Sequence, residues 1–226
     1  MSETALTRQQ ASEAVTGHGW RFVLGSLCTT VAVSSLAGAV EVAALAVAAA
    51  GADGERLLRL DLGGQRVLLT VQVPGAMRVS GRETALAVRV SAALAEAGHA
   101  VDAVGGPRAA QLLEIAIDAM DIGAVRPFWR AVLGYTDADA DDPGAALLDP
   151  YGQGPAVWFQ QMDRPRTQRN RIHLDVSVPH DEADRRVAAA VAAGGRVVYD
   201  KEAPAFRVLA DQEGNEACVT TWLGRD

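Results

Sequence analysis

The sequence predicts an α+β protein of two domains, and three observations carry that reading. The second half holds one strand–helix–strand pattern written twice, while residues 1–102 follow a different order of elements. Between them, Ala103-Val104-Gly105-Gly106-Pro107 punctuates the chain as a linker, here taken as 103–110, before a second domain at 111–226. A length of 226 residues suits two modest domains better than one.

In the first domain, Thr7-Arg8-Gln9-Gln10 has the form of a capping box, with Gly17 and Gly19 closing the helix it opens. Trp20–Leu24 and Leu27–Val33 are β-branched and aromatic runs joined at Gly25-Ser26, a hairpin signal. Ser34 or Ser35 caps an alanine-rich helix through Ala50. Leu57–Leu62 and Arg66–Val73 form a second strand pair around Gly63-Gly64. Ser80 starts a last helix, with Ala85, Val88, Ala92 and Leu94 or Ala95 at helical spacing, ending at Gly98. The order α-β-β-α-β-β-α predicts a four-stranded antiparallel sheet with helices on one face.

The repeat fills the second domain. Its first copy runs from the strand Leu113–Asp118 through a helix over 121–134 to strands near 145–149 and 156–162. Its second runs from Arg171–Val176 through a helix over 181–194 to strands at 196–199, 206–211 and 216–222. Neither copy is long enough to bury a core alone, so the two must pack together, and a ligand pocket between paired sheets follows.

Composition excludes several functions. The 21 basic against 28 acidic residues leave a formal net charge of −7, which opposes nucleic-acid binding, since phosphate recognition needs a basic face. The one local basic cluster, Arg164, Arg166, Arg169 and Arg171 around Gln168 and Asn170, reads as a solvated loop or as a rim for an anionic ligand or a partner subunit. Two cysteines, Cys28 and Cys218, make no disulfide framework and fit a reducing compartment. No basic n-region precedes an apolar run at the N-terminus, and the nearest approach to a membrane span, Leu36–Ala52, contains Glu41 and reads as a buried helix. The expectation is a cytoplasmic protein with no nucleic-acid or membrane partner.

Gly19-Trp20 opening the first strand, the element order and the charged last helix resemble the pterin-4a-carbinolamine dehydratases over residues 5–98. That resemblance implies a His-His-Pro segment before the third strand and a Thr-His-Asp segment after the fourth, because imidazoles move the protons of the dehydration. This chain has Arg56-Leu57-Leu58 and Val73-Pro74-Gly75 there, and no histidine between His18 and His99. His18 in its Gly-His-Gly turn and His99 after a helix end read as structural or solvent-exposed. The expectation is a dehydratase-like domain without dehydratase chemistry, left to dimerise or to shape a neighbouring pocket.

In the second domain, Phe128–Tyr135, Asn170-Arg171-Ile172-His173-Leu174-Asp175 and Asp211-Gln212-Glu213-Gly214-Asn215-Glu216 resemble the glyoxalase/bleomycin-resistance (vicinal oxygen chelate) superfamily. The resemblance covers about residues 111–223 and implies paired βαβββ modules. Members that do chemistry hold one divalent metal, with ligands from the first and fourth strand of each module. Those positions fall here on Ile115 or Ala116, on Trp158 with Gln160 on the same strand face, on His173, and on Cys218 with Glu216 two residues earlier. His173 is the one strong ligand, so the expected cofactor is none; a divalent metal on His173, Glu216 or Cys218, and Gln160 is the alternative.

The expected site is a metal-free, asymmetric small-molecule pocket lined by Trp158, Gln160, His173, Asp175, Glu216 and Cys218, with its cavity between Gln160 and His173. Asp175 reads as a strand-edge charge or as the group that orients His173, and Trp158 as filling an emptied metal cavity or offering a stacking wall. Ligand binding or sequestration by a homodimer is the leading function. The alternatives are a lyase or isomerase using His173 as general base with Glu216 assisting, residual pterin dehydration, and a purely structural role.

Overall fold

In the computed structural model, which describes residues 4–104, 109–138, 144–166, 168 and 172–224, the chain divides into two compact units, Met1–Leu112 and Leu113–Asp226. Both mix helices with four-stranded sheets. Arg169, Asn170 and Arg171 of the basic cluster, and most of the glycine-rich linker, lie outside the described residues.

The first unit begins with α1 (Arg8–Thr16), whose capping box forms as its sequence predicts: Gln10 N–H donates to Thr7 Oγ1 and Thr7 N–H donates to Gln10 Oε1. Strands β1 (Arg21–Val23) and β2 (Ser26–Ala32) follow. Their turn is Leu24-Gly25, one residue before the expected joint, with φ of 47° and 73°. Positive φ at both central residues is what a tight two-residue hairpin requires, and Leu24 adopts it at some cost in strain. Then come α2 (Leu36–Ala50, capped by Ser35), the short α3 (Gly54–Leu57), β3 (Leu58–Gly63), β4 (Arg66–Val71) and α4 (Gly81–Glu96, with a Ser80/Glu83 capping box). The sheet is wholly antiparallel in the order β1-β2-β4-β3.

Two expectations need correction here. Helix α4 buries Leu86, Ala87, Val90 and Leu94, whereas Ala85, Ala92 and Ala95 face outward. Both stripes have helical spacing, and the one with larger side chains gains more from burial. That stripe also contains Ser91, which hid it: the Ser91 hydroxyl accepts from the buried Trp20 Nε1–H at 2.7 Å and donates to the His18 carbonyl at 2.9 Å. Helix α2, expected to be buried, is so on one face only. Ala39, Val42, Ala46 and Ala50 enter the core, while Leu36, Val40 and Val47 stay more than half exposed. The helical stretch Leu36–Leu57 is long and apolar enough to cross a membrane by length and composition.

The second unit holds the repeat. Its first module is β5 (Glu114–Ala119), α5 (Ile122–Leu133), β6 (Thr136–Asp137), β7 (Leu147–Leu148) and β8 (Ala156–Gln161). Its second is β9 (Leu174–Ser177), α6 (Ala183–Ala192), β10 (Arg196–Tyr199), β11 (Phe206–Ala210) and β12 (Glu216–Thr220). The sheets run β5-β8-β7-β6 and β9-β12-β11-β10, each with its first and last strands parallel. The modules are therefore topological copies, although β6 carried too short a run to be seen in the sequence.

One core serves both modules. Ile117, Val125, Phe128, Val132, Val157 and Phe159 from the first cluster with Ala183, Ala190, Leu209, Ala217 and Val219 from the second, and α5 packs on α6. The Phe128 ring lies against Gly195 so closely that any β-carbon there would strike it. Asp211, fully buried, accepts from Trp129 Nε1 (3.0 Å), from the Glu213 and Asn215 amides (2.9 Å each) and from Asn215 Nδ2 (2.9 Å). Glu213 in the same turn accepts from the Met120 and Asp121 amides at 2.8 and 2.6 Å, pinning the start of α5. Asp211→Ala strands the buried Trp129 indole N–H and the half-buried donors of the turn, and is predicted to destabilise the second unit by about 3 kcal/mol, read as a lowered urea midpoint with the first unit unchanged.

Candidate functional site

Strand alternation sorts the sheet residues of the second unit into two faces. On β5 and β8, Ile115, Ile117, Ala119, Val157 and Phe159 turn toward the helices, which leaves Glu114, Ala116, Asp118, Trp158 and Gln160 on the opposite face. On β9 and β12, Leu174, Ala217 and Val219 face the helices, while Asp175, Ser177, Glu216, Cys218 and Thr220 face away.

The away-facing side of the second module brings three metal- or proton-binding groups together. His173, immediately before β9, directs Nδ1 at Asp175 Oδ1 (3.2 Å) and at Cys218 Sγ (3.5 Å). The donor atoms of His173, Asp175 and Cys218 all lie within 4.8 Å of one another. Cys218 is buried, whereas the His173 and Asp175 side chains are 44% and 60% exposed, so the group is open to solvent from one side. An Nδ1 that donates to Asp175 leaves Nε2 with its lone pair, the form that accepts a proton or a cation. Nearby, Ser177 and Thr220 hydroxyls share a 2.8 Å hydrogen bond.

The register changes the pairing of the two copies. Cys218 lies opposite Asp175, with His173 two residues earlier, and Trp158 lies opposite Ala116, with Glu114 two residues earlier. With Trp158 matched to Cys218, the counterpart of His173 is thus Glu114, and neither Ile115 nor Ala116 occupies that place. Ile115 points instead to the helix side. The first copy presents Glu114, Ala116 and Trp158 where the second presents His173, Asp175 and Cys218. A carboxylate stands in a position that the strand boundaries read from sequence had placed one residue late.

Two cavities among the described residues of this unit bear on the site. One, of about 380 Å³, is walled by Ile115, Leu133, Tyr135, Pro155 and Val157 from the first module and by the run His173–Ser177 from the second. Burial and then the Asp149 carboxylate raise the Tyr135 hydroxyl above its ordinary pKa, which keeps it a neutral hydrogen-bond donor. The other, of about 400 Å³, belongs to the first module and is lined by Asp118, Gln160, Gln161 and the segment Met162–Arg166, with Arg166 paired to Asp118 at 3.3 Å.

The expected single cavity between Gln160 and His173 is therefore two, one walled by both modules and holding His173, the other on the first module and holding Gln160. Gln160 does not join His173, Trp158 lines neither cavity, and Glu216 stands outside the three-donor group. Asp175 completes that group in place of Gln160. The apolar wall of Ile115, Leu133, Tyr135 and Val157 went unread in the sequence because its residues carry ordinary core chemistry.

Residues 114–220, all within the second unit, match the family model of the glyoxalase-like domain. No curated protein matches the chain. Among solved structures, a glyoxalase/bleomycin resistance protein/dioxygenase family enzyme from Burkholderia phytofirmans is 21% identical with a TM-score of 0.42, over 50% of this chain and all of that one. The fosfomycin resistance protein FosX from Mesorhizobium loti is 13% identical with a TM-score of 0.39, over 48% of this chain and 89% of its own. FosX from Listeria monocytogenes, solved with Mn(II) and sulfate, is 14% identical with a TM-score of 0.39, over 50% and 90%.

Both cysteines are buried, Cys28 at 3% exposure and Cys218 at 4%. Burial also pushes the Cys28 thiol above its ordinary pKa, so less of it is thiolate at a given pH. Neither thiol is expected to react with a bulky aromatic disulfide at pH 8 in the folded chain, and both should titrate once urea unfolds it.

Proposed function

We propose that the glyoxalase-like unit binds a small molecule in the cavity shared by its two modules, with His173 as the polar anchor and without a resident metal. The observation that carries this reading is the lining itself. Ile115, Leu133, Val157, Leu174 and Val176 supply apolar wall, and Tyr135, His173, Asp175 and Ser177 supply a few convergent polar groups. A volume of about 380 Å³ suits a ligand of modest size, and that mix of walls is how small-molecule sites obtain both affinity and orientation. Asp175 holds the His173 ring through Nδ1, so Nε2 is the nitrogen offered to a bound molecule.

A second reading rests on the same cluster. Nitrogen, oxygen and sulfur donors from His173, Asp175 and Cys218 suit a borderline divalent cation, and three protein ligands leave a position for a substrate oxygen. Such an ion would supply Lewis-acid polarisation. In that case the unit is a lyase or isomerase in which a carboxylate outside the ligand set, such as Glu216 on the same face of β12, would move the proton. Without the ion, His173 itself would be the general base with Glu216 assisting.

The readings separate by measurement. A panel of single-ring aromatic fragments with one hydrogen-bonding group is expected to raise the melting temperature of the metal-stripped chain. His173→Ala, or Ile115→Trp filling the cavity, should remove the shift. Stoichiometric zinc or manganese by elemental analysis of the purified chain, lost in Cys218→Ala, would favour the metal enzyme instead. For the first unit we propose no dehydratase activity, because Leu57 and Pro74 cannot transfer protons. A pterin carbinolamine should lose water at the uncatalysed rate in its presence, and saturable acceleration would overturn that reading.

A further inference from the structure

The cavity that both modules wall holds an unequal set of polar groups. Its polar side chains are Tyr135, His173, Asp175 and Ser177, and Asp175 is the one carboxylate. No lysine or arginine lines it among the described residues. The His173 ring directs Nδ1 to Asp175 Oδ1 at 3.2 Å, so the neutral ring turns a lone pair outward at Nε2. A nitrogen lone pair backed by a carboxylate accepts hydrogen bonds and favours positive charge, and it has no proton to offer an anion.

The surroundings tilt the same way. Tyr135, kept protonated by burial and by the Asp149 carboxylate, adds a neutral hydroxyl. Arg186 lies against Gly134, beside Leu133 and Tyr135 of the wall, yet its protons go to the Val132 carbonyl and the Glu182 carboxylate, which balances its charge. Arg130, in the last turn of α5, is paired with Asp137 at 2.8 Å. The Arg166 guanidinium belongs to the other cavity, where it meets Asp118. Glu114, the chain neighbour of the lining residue Ile115, is a further exposed carboxylate. An anion entering here would meet the Asp175 charge with no cation of the wall to balance it.

The apolar part of the lining constrains the rest of the molecule. Ile115, Leu133, Val157, Leu174 and Val176 wall a volume of about 380 Å³, room for a ring or a short hydrocarbon beside a polar head. A quaternary ammonium matches poorly. It has no N–H for Nε2, and it is held by aromatic cages, whereas Tyr135 and the imidazole are the only rings of the described lining besides Pro155.

We propose that the cavity selects a protonated amine with an apolar body, the ammonium donating to His173 Nε2 while the Asp175 charge behind the ring favours it over neutral and anionic molecules. The proposal rests on metal-free binding in this cavity, and adds the charge and donor character of the ligand.

The test compares four probes built on one phenyl ring with the chelator-treated full chain: benzylamine, benzyl alcohol, benzoate and benzyltrimethylammonium. Dissociation constants come from melting-temperature titrations near neutral pH, with circular dichroism confirming the fold of each variant. Benzylamine should bind about tenfold more tightly than benzyl alcohol, because charge-assisted hydrogen bonds are the stronger kind, discounted here for a site half open to water. Benzoate and benzyltrimethylammonium should both bind more weakly than benzylamine. Asp175→Asn keeps an oxygen for the Nδ1 proton and removes the charge, so its affinity for benzylamine should drop about tenfold while that for benzyl alcohol holds. Benzylamine no tighter than the alcohol, a preference for benzoate, benzyltrimethylammonium equal to benzylamine, or an amine preference that survives Asp175→Asn would each overturn the proposal and leave the cavity a binding site. If no probe raises the melting temperature, or every shift persists in Ile115→Trp, the binding site itself falls with it. An untreated chain that prefers benzoate, in an order lost on chelation, would point to an ion on His173, Asp175 and Cys218 and overturn both.

Discussion

The turn Asp211–Glu216 is the constraint on which the second unit depends. Its buried Asp211 carboxylate gathers the indole N–H of α5 and three donors of its own loop, while Glu213 seizes the first amides of the α5 entry. A carboxylate buried this completely is tolerable only because its oxygens are saturated with donors. The same turn delivers the chain into β12, so what fixes the two modules against each other also fixes Cys218 beneath His173. Packing of Phe128 into the space left by Gly195 does the complementary apolar part.

From that clasp follows an asymmetric site. The two modules share topology and core, yet their away-facing strands differ in chemistry. The second sets imidazole, carboxylate and thiol within reach of one another. The first sets Glu114 beside alanine and tryptophan, with Gln160 and Asp118 turned to a separate cavity. A repeat can keep its framework while its surface chemistry diverges, because core residues answer to packing and away-facing ones do not. The cavity joins the modules through side chains of the helix-facing class, Ile115 and Val157, together with the strand that carries His173.

Much of the fold was legible from the sequence because local signals agreed. The Thr7 and Ser80 capping boxes, the hairpin around Gly64 and the helix breaks at Gly98 and Gly194 each state a backbone requirement in residue type. The misreadings came where periodicity allows two answers or where tertiary context decides. The α4 stripe was missed because Ser91 belongs to the core only through its bond to Trp20. A helix as apolar as α2 reads as buried, although only one face finds partners within the chain. At the site, His173 and Cys218 were legible as residue types. The partnership of Asp175 with His173 was legible from their places two residues apart on one strand face, whereas the register that elevates Glu114 required knowing which residues stand opposite across parallel strands.

The proposed site requires that His173 be held through Nδ1 so that Nε2 is presented to a ligand. The most direct measurement is the ring ¹⁵N spectrum of the histidines, with the His173 signals assigned by their loss in His173→Ala. A proton on Nδ1 and a bare Nε2, reverting toward an unconstrained tautomer mixture in Asp175→Ala, is the predicted result. A proton on Nε2 with Nδ1 bare, unchanged by Asp175→Ala, would contradict it.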